Sequence, residues 1–355
     1  MEEAQAIKIL TDLLAINSAN DHEGLIADYI TALFSEYSVE IHRLSYSSGR
    51  DNLVVTIGDH GPLLGFSGHE DVVAAGNLTN WQTEPFTPTL KDGKVFGRGA
   101  SDMKSGLAAM IVAMLDLLDS ERELPGRIRL LASVGEETGE YGAAQLTKEG
   151  YASDLDGLVI GEPSNFDVRV THKGVIDYYV YSKGICVHSS TPEKGQNAIM
   201  PLIEFAQETQ HLMDRHQKKD PVLGSFTHVI SQIQGGSQIN SVPDSAWLSG
   251  NIRTTPVYPN EQIYIELEQI VADLNKKGAR LKIRYSFPEV PLPDQSQTKL
   301  AKMAQKVVEQ EIGRPSEFVA GTTDHEPNEY IEVNAYLAGC RLYQELARQF
   351  WSSLT

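Results

Sequence analysis

Six side chains in this sequence have the chemistry to bind a metal ion or to work beside one, and each follows or precedes an apolar run. His69 and Asp71 come after Leu63-Leu64-Gly65-Phe66-Ser67-Gly68, and Asp102 lies in Gly97-Arg98-Gly99-Ala100-Ser101-Asp102-Met103-Lys104-Ser105-Gly106, ahead of a helical pattern. Glu136 and Glu137 follow the apolar stretch 127–134 through Gly135, and Glu162 follows 155–160 through Gly161. Imidazole and carboxylate donors without cysteine suit Zn²⁺ in a catalytic site, or Co²⁺ and Mn²⁺. Residues two apart in extended chain point the same way, so a ligating His69 can be oriented by the Asp71 carboxylate. Two ions about 3.5–4 Å apart need a bridging carboxylate, and Asp102, short and held at a helix start, suits that role. Taken singly these residues have plainer explanations. An adjacent Glu-Glu pair is ordinarily a solvated first turn, an aspartate before a helix caps it, and a strand-end glutamate faces water. Their gathering at strand ends, where open α/β sheets bind ligands, is what points to metal chemistry.

The elements that must position them can be read from periodicity. Amphipathic helices are predicted over 3–16 and 22–37, then strands over 39–44, 52–57 and 63–67. Asp92-Gly93 marks a hairpin turn, and a helix runs from Asp102 through Leu118. Strands over 127–134 and 155–160 complete a largely parallel, doubly wound α/β sheet. After Gly174 the order becomes β-α-β-β-α-β: strand 175–181, helix 196–213, strands 226–233 and 246–252, helix 261–274, strand 281–285. That is the ferredoxin-like α+β pattern. Pro288, Pro291 and Pro293 mark its exit, and helical periodicity then returns to the end. The expected organisation is a catalytic domain of residues 1–173 and 289–355, interrupted by a second domain over 174–288.

Composition excludes several classes of function. The chain has 355 residues and a formal net charge of −18. Nucleic acid and anionic membrane surfaces require a basic footprint, so neither is an expected partner. Two cysteines, Cys186 and Cys340, make no disulfide framework. The first residues lack a signal-peptide pattern, and no apolar run is long enough to cross a bilayer, so the cytoplasm is the expected compartment. Gly97-Arg98-Gly99 does not continue into a nucleotide-binding loop; its glycines suit a turn with positive φ close to the metal site.

His69-Glu70-Asp71-Val72-Val73, Trp81, Pro85-Phe86, Asp92-Gly93, Phe96-Gly97-Arg98-Gly99 and Asp102-Met103-Lys104-Ser105-Gly106 together resemble the metallopeptidase M20 family, which includes desuccinylases, deacetylases, aminoacylases and carboxypeptidases. The resemblance covers nearly the whole chain. It implies that His69 and Glu162 bind one ion, that Glu137 and a C-terminal histidine, His325, bind the other, and that Asp102 joins them. Glu136 would remain free as the general base. In the second domain, the segment 184–199 resembles the family's lid motif, with Val187 where a glycine is familiar. The resemblance gives His188 the role of stabilising the oxyanion, from the same or a partner chain. The segment 235–243, with Asn240, and Arg253 match positions that hold a substrate carboxylate, a task for which the planar guanidinium is well suited. The implied assembly is a homodimer through the lid.

The C-terminal match is interrupted. Gly321-Thr322-Thr323-Asp324 and His325-Glu326-Pro327-Asn328-Glu329-Tyr330 resemble two family motifs that a strand and a helix normally separate, yet here they abut. The implied activity is removal of an N-acyl group from an amino acid by a dinuclear metal centre, nearest the succinyl-diaminopimelate desuccinylase and acetylornithine deacetylase branch. A metal-dependent dipeptidase or carboxypeptidase shares the same core residues. An inactive binding homologue is the reading that the abutting motifs alone favour.

Overall fold

The computed structural model describes residues 1–19, 21–120, 123–320 and 327–354. The elements, in chain order, are α1 (Glu3–Ala15), α2 (Glu23–Phe34), β1 (Glu40–Ser47), β2 (Arg50–Ile57), β3 (Leu63–His69), β4 (Thr89–Lys91), β5 (Lys94–Phe96), α3 (Lys104–Ser120), β6 (Arg127–Ser133), α4 (Glu136–Gly139), α5 (Tyr141–Lys148) and β7 (Gly157–Ile160). They continue with β8 (Val168–Thr171), β9 (Gly174–Lys183), α6 (Ile199–Arg215), β10 (Thr227–Gly235), β11 (Ser245–Thr254), α7 (Asn260–Lys276), β12 (Leu281–Glu289), α8 (Lys299–Ile312), β13 (Phe318–Ala320), β14 (Tyr330–Glu332) and α9 (Val333–Leu354). They divide into two compact units. One comprises Met1–Val168, Gln297–Phe318 and the C-terminal segment, and the other Arg169–Ser296 with Val319 and Ala320.

The first unit is α/β around a five-stranded sheet of order β1-β2-β6-β3-β7. β3 runs parallel to β6 and β7, whereas β1–β2 and β2–β6 are antiparallel. The sheet is therefore more mixed than the largely parallel one expected, and the connection explains it. Only Ser48 and Gly49 separate β1 from β2, and so short a link can join only antiparallel strands. β3 and β6 lie within the sheet, and β3 is buried along almost its whole length. α3 carries Leu107, Met110, Ile111, Met114 and Leu117, all fully buried, and it packs against β3, α1 and α9. α9 closes the same core with Ala347, Phe350 and Trp351, and the Trp351 indole N–H donates to the Arg127 carbonyl at 3.2 Å.

One close approach fixes the start of α3. A Cβ on Gly106 would stand 2.0 Å from the Gly161 carbonyl oxygen, so only glycine lets this first turn reach the strand end that leads to Glu162. Nearby, β4 and β5 form the hairpin expected at Asp92-Gly93, whose φ values of 50° and 74° suit a primed two-residue turn. β14 adds to it by pairing with β5.

The second unit follows the β-α-β-β-α-β order, with a fully antiparallel sheet of order β10-β11-β9-β12. β9 alternates from Ile176 onward. Ile176, Tyr178 and Val180 join Leu202 and Phe205 of α6 and Ile263 and Leu267 of α7 in a core, while Tyr179, Tyr181 and Lys183 face outward.

Candidate metal centre

β3 delivers His69 to the carboxyl end of the sheet, where it is 2% exposed. Its Nε2 lies 3.2 Å from Asp102 Oδ1, 3.7 Å from Glu162 Oε1 and 4.0 Å from Glu136 Oε2. Its Nδ1 lies 2.8 Å from the backbone carbonyl of Asp71, while the Asp71 carboxylate is farther off, at 3.6 Å. The His-x-Asp spacing predicts that carboxylate against the imidazole; in the structure the carbonyl makes the shorter approach. The carboxylate has another partner. Asp71 Oδ1 and Oδ2 accept the backbone N–H groups of Glu136 and Glu137, each at 3.1 Å. These are the first two amides of α4, which no helical carbonyl can satisfy.

Two groups of donors can each place one ligand atom within 4.8 Å of the others: His69, Asp102 and Glu162, and His69, Glu136 and Glu137. The first is the combination expected around one ion. In the second, Glu136 stands among the candidate donors where the sequence reading had Glu137 with His325. His325 lies outside the described residues, as do its neighbours 321–324 and Glu326.

The electrostatics suit a cation. Burial, together with the neighbouring carboxylates, pushes Glu136, Glu137 and Glu162 up to about 7, against the restraining pull of His69. For His69, burial opposes the charged form, yet the Asp102 hydrogen bond and the fields of Glu162, Asp71 and Glu136 raise it well above the ordinary imidazole value. Crowded acids holding protons around one histidine form a donor set that a divalent cation can take over, since ligands bind in their deprotonated forms. The nitrogen and oxygen donors fit Zn²⁺, Co²⁺ or Mn²⁺.

Three buried residues around this site had no role assigned from sequence. Lys104, fully buried, donates to the carbonyls of Leu13 (2.9 Å) and Ile16 (2.7 Å), which ties the end of α1 to the start of α3. Glu70, between His69 and Asp71, is fully buried, and burial holds its carboxyl well above the usual range. Glu329, 9% exposed, accepts hydrogen bonds from the loop that carries Asp102. Glu329 falls within the C-terminal motif noted above; neither Lys104 nor Glu70 carries a spacing signal of its own.

In the second unit, His188 and Asn240 are exposed and adjacent. His188 bridges to Ser241, and the Ser189 N–H donates to the Asn240 carbonyl at 2.9 Å. His188 Nδ1 is 2.8 Å from Ser190 Oγ. Arg253 does not join them. It lies exposed near the far end of β11, paired with Val175 and Thr227. From Ser245, where β11 begins, to Arg253 is eight residues of strand, about 26 Å.

Residues 65–349 match the sequence family described as Peptidase family M20/M25/M40. The chain belongs to this family. It is therefore a hydrolase of amide bonds, and the α/β fold with a parallel-containing sheet is that of solved M20 peptidases. A probable succinyl-diaminopimelate desuccinylase of Staphylococcus epidermidis is 36% identical over 314 residues, covering 82% of this chain and 78% of the relative. Its counterpart in Staphylococcus aureus is 33% identical and covers 98% of both chains. That alignment spans 398 positions against 355 residues here, so the relative has residues this chain lacks. In structure, aminopeptidase PepT from Bacillus cereus superposes with a TM-score of 0.78 at 19% identity, covering 98% of this chain and 99% of that one. A dinuclear metal-binding M20 peptidase from Bacillus subtilis superposes with a TM-score of 0.72 at 16% identity, covering 99% and 98%. Among the described residues no helix is long and apolar enough to cross a membrane.

Proposed function

We propose that this M20 hydrolase removes an N-acyl group from a small amino acid, with a succinyl-diaminopimelate-like compound as the leading substrate class. The reading rests on one observation above all, the convergence of Asp102, Glu136, Glu137 and Glu162 on the buried imidazole of His69. The desuccinylase names of relatives at 33–36% identity support the substrate class.

His69, Asp102 and Glu162 would hold one divalent cation, with Asp102 bridging to a second held by Glu137 and His325; Zn²⁺ is the leading metal. Such a pair supplies Lewis acidity at the scissile carbonyl and makes water a stronger acid. The remaining steps belong to the chain. The Glu136 carboxylate takes a proton from the attacking water and returns it to the departing nitrogen. Asp71 holds Glu136 at its backbone, so the base does not drift while it carries the proton. His188 donates to the carbonyl oxygen as negative charge develops there.

Asn240 and Arg253 would bind the substrate's carboxylates. With Arg253 about 26 Å along β11 from the His188–Asn240 end, one copy of the second unit does not bring all three to one small molecule. That separation favours a homodimer in which two copies contribute, and it favours the second unit as lid and dimerisation domain.

The test is release of free amine from N-succinyl-diaminopimelate, N-acetylornithine, other N-acyl amino acids and dipeptides, each with zinc or cobalt and again with chelator. Chelator-sensitive cleavage of N-acyl substrates supports the proposal. Turnover confined to dipeptides would replace it with a dipeptidase.

A further inference from the structure

We propose that Glu329 is a positioning residue of the metal centre, holding Asp102 where it faces His69 and Glu162. The inference rests on the metal-binding reading given above. Among the described residues, no other carboxylate here gathers so many donors from one short loop. Oε2 accepts from Arg98 Nη1 at 2.8 Å and from the Gly99 N–H at 3.0 Å. Oε1 accepts from the Ser101 N–H at 2.6 Å and from the Asp102 N–H at 2.8 Å.

Three of those donors are backbone amides, and one belongs to Asp102 itself. The loop can turn its amides inward because Gly99 adopts φ +86°, in the left-handed region. A carboxylate clamped at both oxygens fixes the backbone position from which the Asp102 side chain projects. The Asp102 side chain then needs only its own torsions to meet His69 Nε2 at 3.2 Å.

Charge explains why a clamp of this kind can sit beside an acidic cluster. Arg98, 4% exposed, pairs with Glu329 and stacks over Trp81 at 5.0 Å, so the clamp adds no net negative charge to the centre. The next residue back anchors elsewhere. Asn328 accepts from the Gln82 N–H at 2.6 Å and donates to the Asn80 carbonyl at 3.0 Å. That neighbour provides the control, because it ties the same turn to the fold without touching the loop that carries Asp102.

The experiment titrates chelator-treated full-length protein with Co²⁺, following heat and the visible absorbance of bound cobalt, with thermal melts to verify folding. Glu329→Gln keeps the shape but places an amide NH₂ against donors. It is expected to fold, to bind both Co²⁺ ions ten- to a hundredfold more weakly, and to shift the cobalt spectrum. Glu329→Asp, one methylene shorter, should fall between Gln and wild type, and Asn328→Ala should match wild type. A folded Gln variant with both affinities within twofold and an unchanged spectrum overturns the inference. If the Gln variant does not fold, wild-type affinity and spectrum in the folded Asp variant overturn it. A wild type that takes up no Co²⁺ overturns the metal reading, and this inference with it.

Discussion

Asp71 Oδ1 accepts the backbone amide of Glu136 at 3.1 Å, so the residue whose carbonyl meets the His69 imidazole also anchors the proposed base. The second oxygen does the same for Glu137 at 3.1 Å. One fully buried carboxylate thus places two consecutive glutamates whose side chains diverge into the centre.

Replacing Asp71 with Asn substitutes a donor for one acceptor and faces an amide N–H with another N–H. Turnover should fall roughly ten- to a hundredfold with little change in KM, because the base loses its support while the substrate contacts remain. Steady-state kinetics on folded protein at saturating metal decides this; a kcat within twofold of wild type would sink the anchoring role.

Glu136→Gln keeps size and hydrogen bonding but cannot take a proton. General bases of this kind contribute about 10²–10⁴-fold, and kcat should drop by that order. Metal uptake by Glu136→Gln should persist through His69, Asp102 and Glu162, measured as Co²⁺ bound per chain. Retained turnover would move the base elsewhere.

The protonation pattern predicts how the metal-free protein responds to pH. Glu136, Glu137 and Glu162 are raised to about 7 when folded, so between roughly pH 4.5 and 7 the folded state holds protons the unfolded chain has released. Stability therefore falls as pH rises through that window. The raised His69 acts in the same direction, since its contribution is lost as pH climbs through its folded value. Zn²⁺ should stabilise more at pH 7.5 than at pH 5, and its uptake near pH 6 should release protons. Melting curves with and without Zn²⁺, and calorimetry in buffers of different ionisation enthalpy, measure both effects. Equal stabilisation at the two pH values would contradict the charge assignment.

Gly106→Ala brings a methyl group to 2.0 Å from the Gly161 oxygen, and backbone on both sides resists displacement. The cost should be at least about 1–3 kcal/mol, with the melting midpoint lowered by several degrees. Since Gly106 and Gly161 lead to Asp102 and Glu162, Co²⁺ affinity should weaken as well. Wild-type melting and affinity together would show that the two segments part without strain.

The convergence of His69, Asp102, Glu136, Glu137 and Glu162 was legible because each follows an apolar run at a strand end or precedes a helix, and a sequence displays such punctuation directly. The β-α-β-β-α-β block was legible through its period-two strands. The α/β fold with its parallel-containing sheet was legible too, but strand direction at β1–β2 depends on a two-residue connection that apolar periodicity does not register. Asp71 stands near His69, but its carboxylate bonds to the Glu136 and Glu137 amides and its carbonyl meets the ring. A His-x-Asp spacing says that two side chains share a side, and it is silent on whether a carbonyl or a carboxylate reaches the ring. Lys104 and Glu329 act across gaps of 88 to 231 residues, and no local pattern signals such partners.

The bond between Arg98 and Glu329 joins positions 231 residues apart, and α9, which follows, fills the core under the sheet. On the ribosome, the loop carrying Asp102 emerges long before its clamp has been made. A nascent chain that has exposed His69, Asp102, Glu136 and Glu162 still lacks the acceptor for three loop amides and the helix that seals the interior. The proposed ordering of the cation site would thus come only after Glu329 and α9 have been made. Chains cut short before Glu329 would lack both the clamp and α9 and would leave apolar core surface exposed.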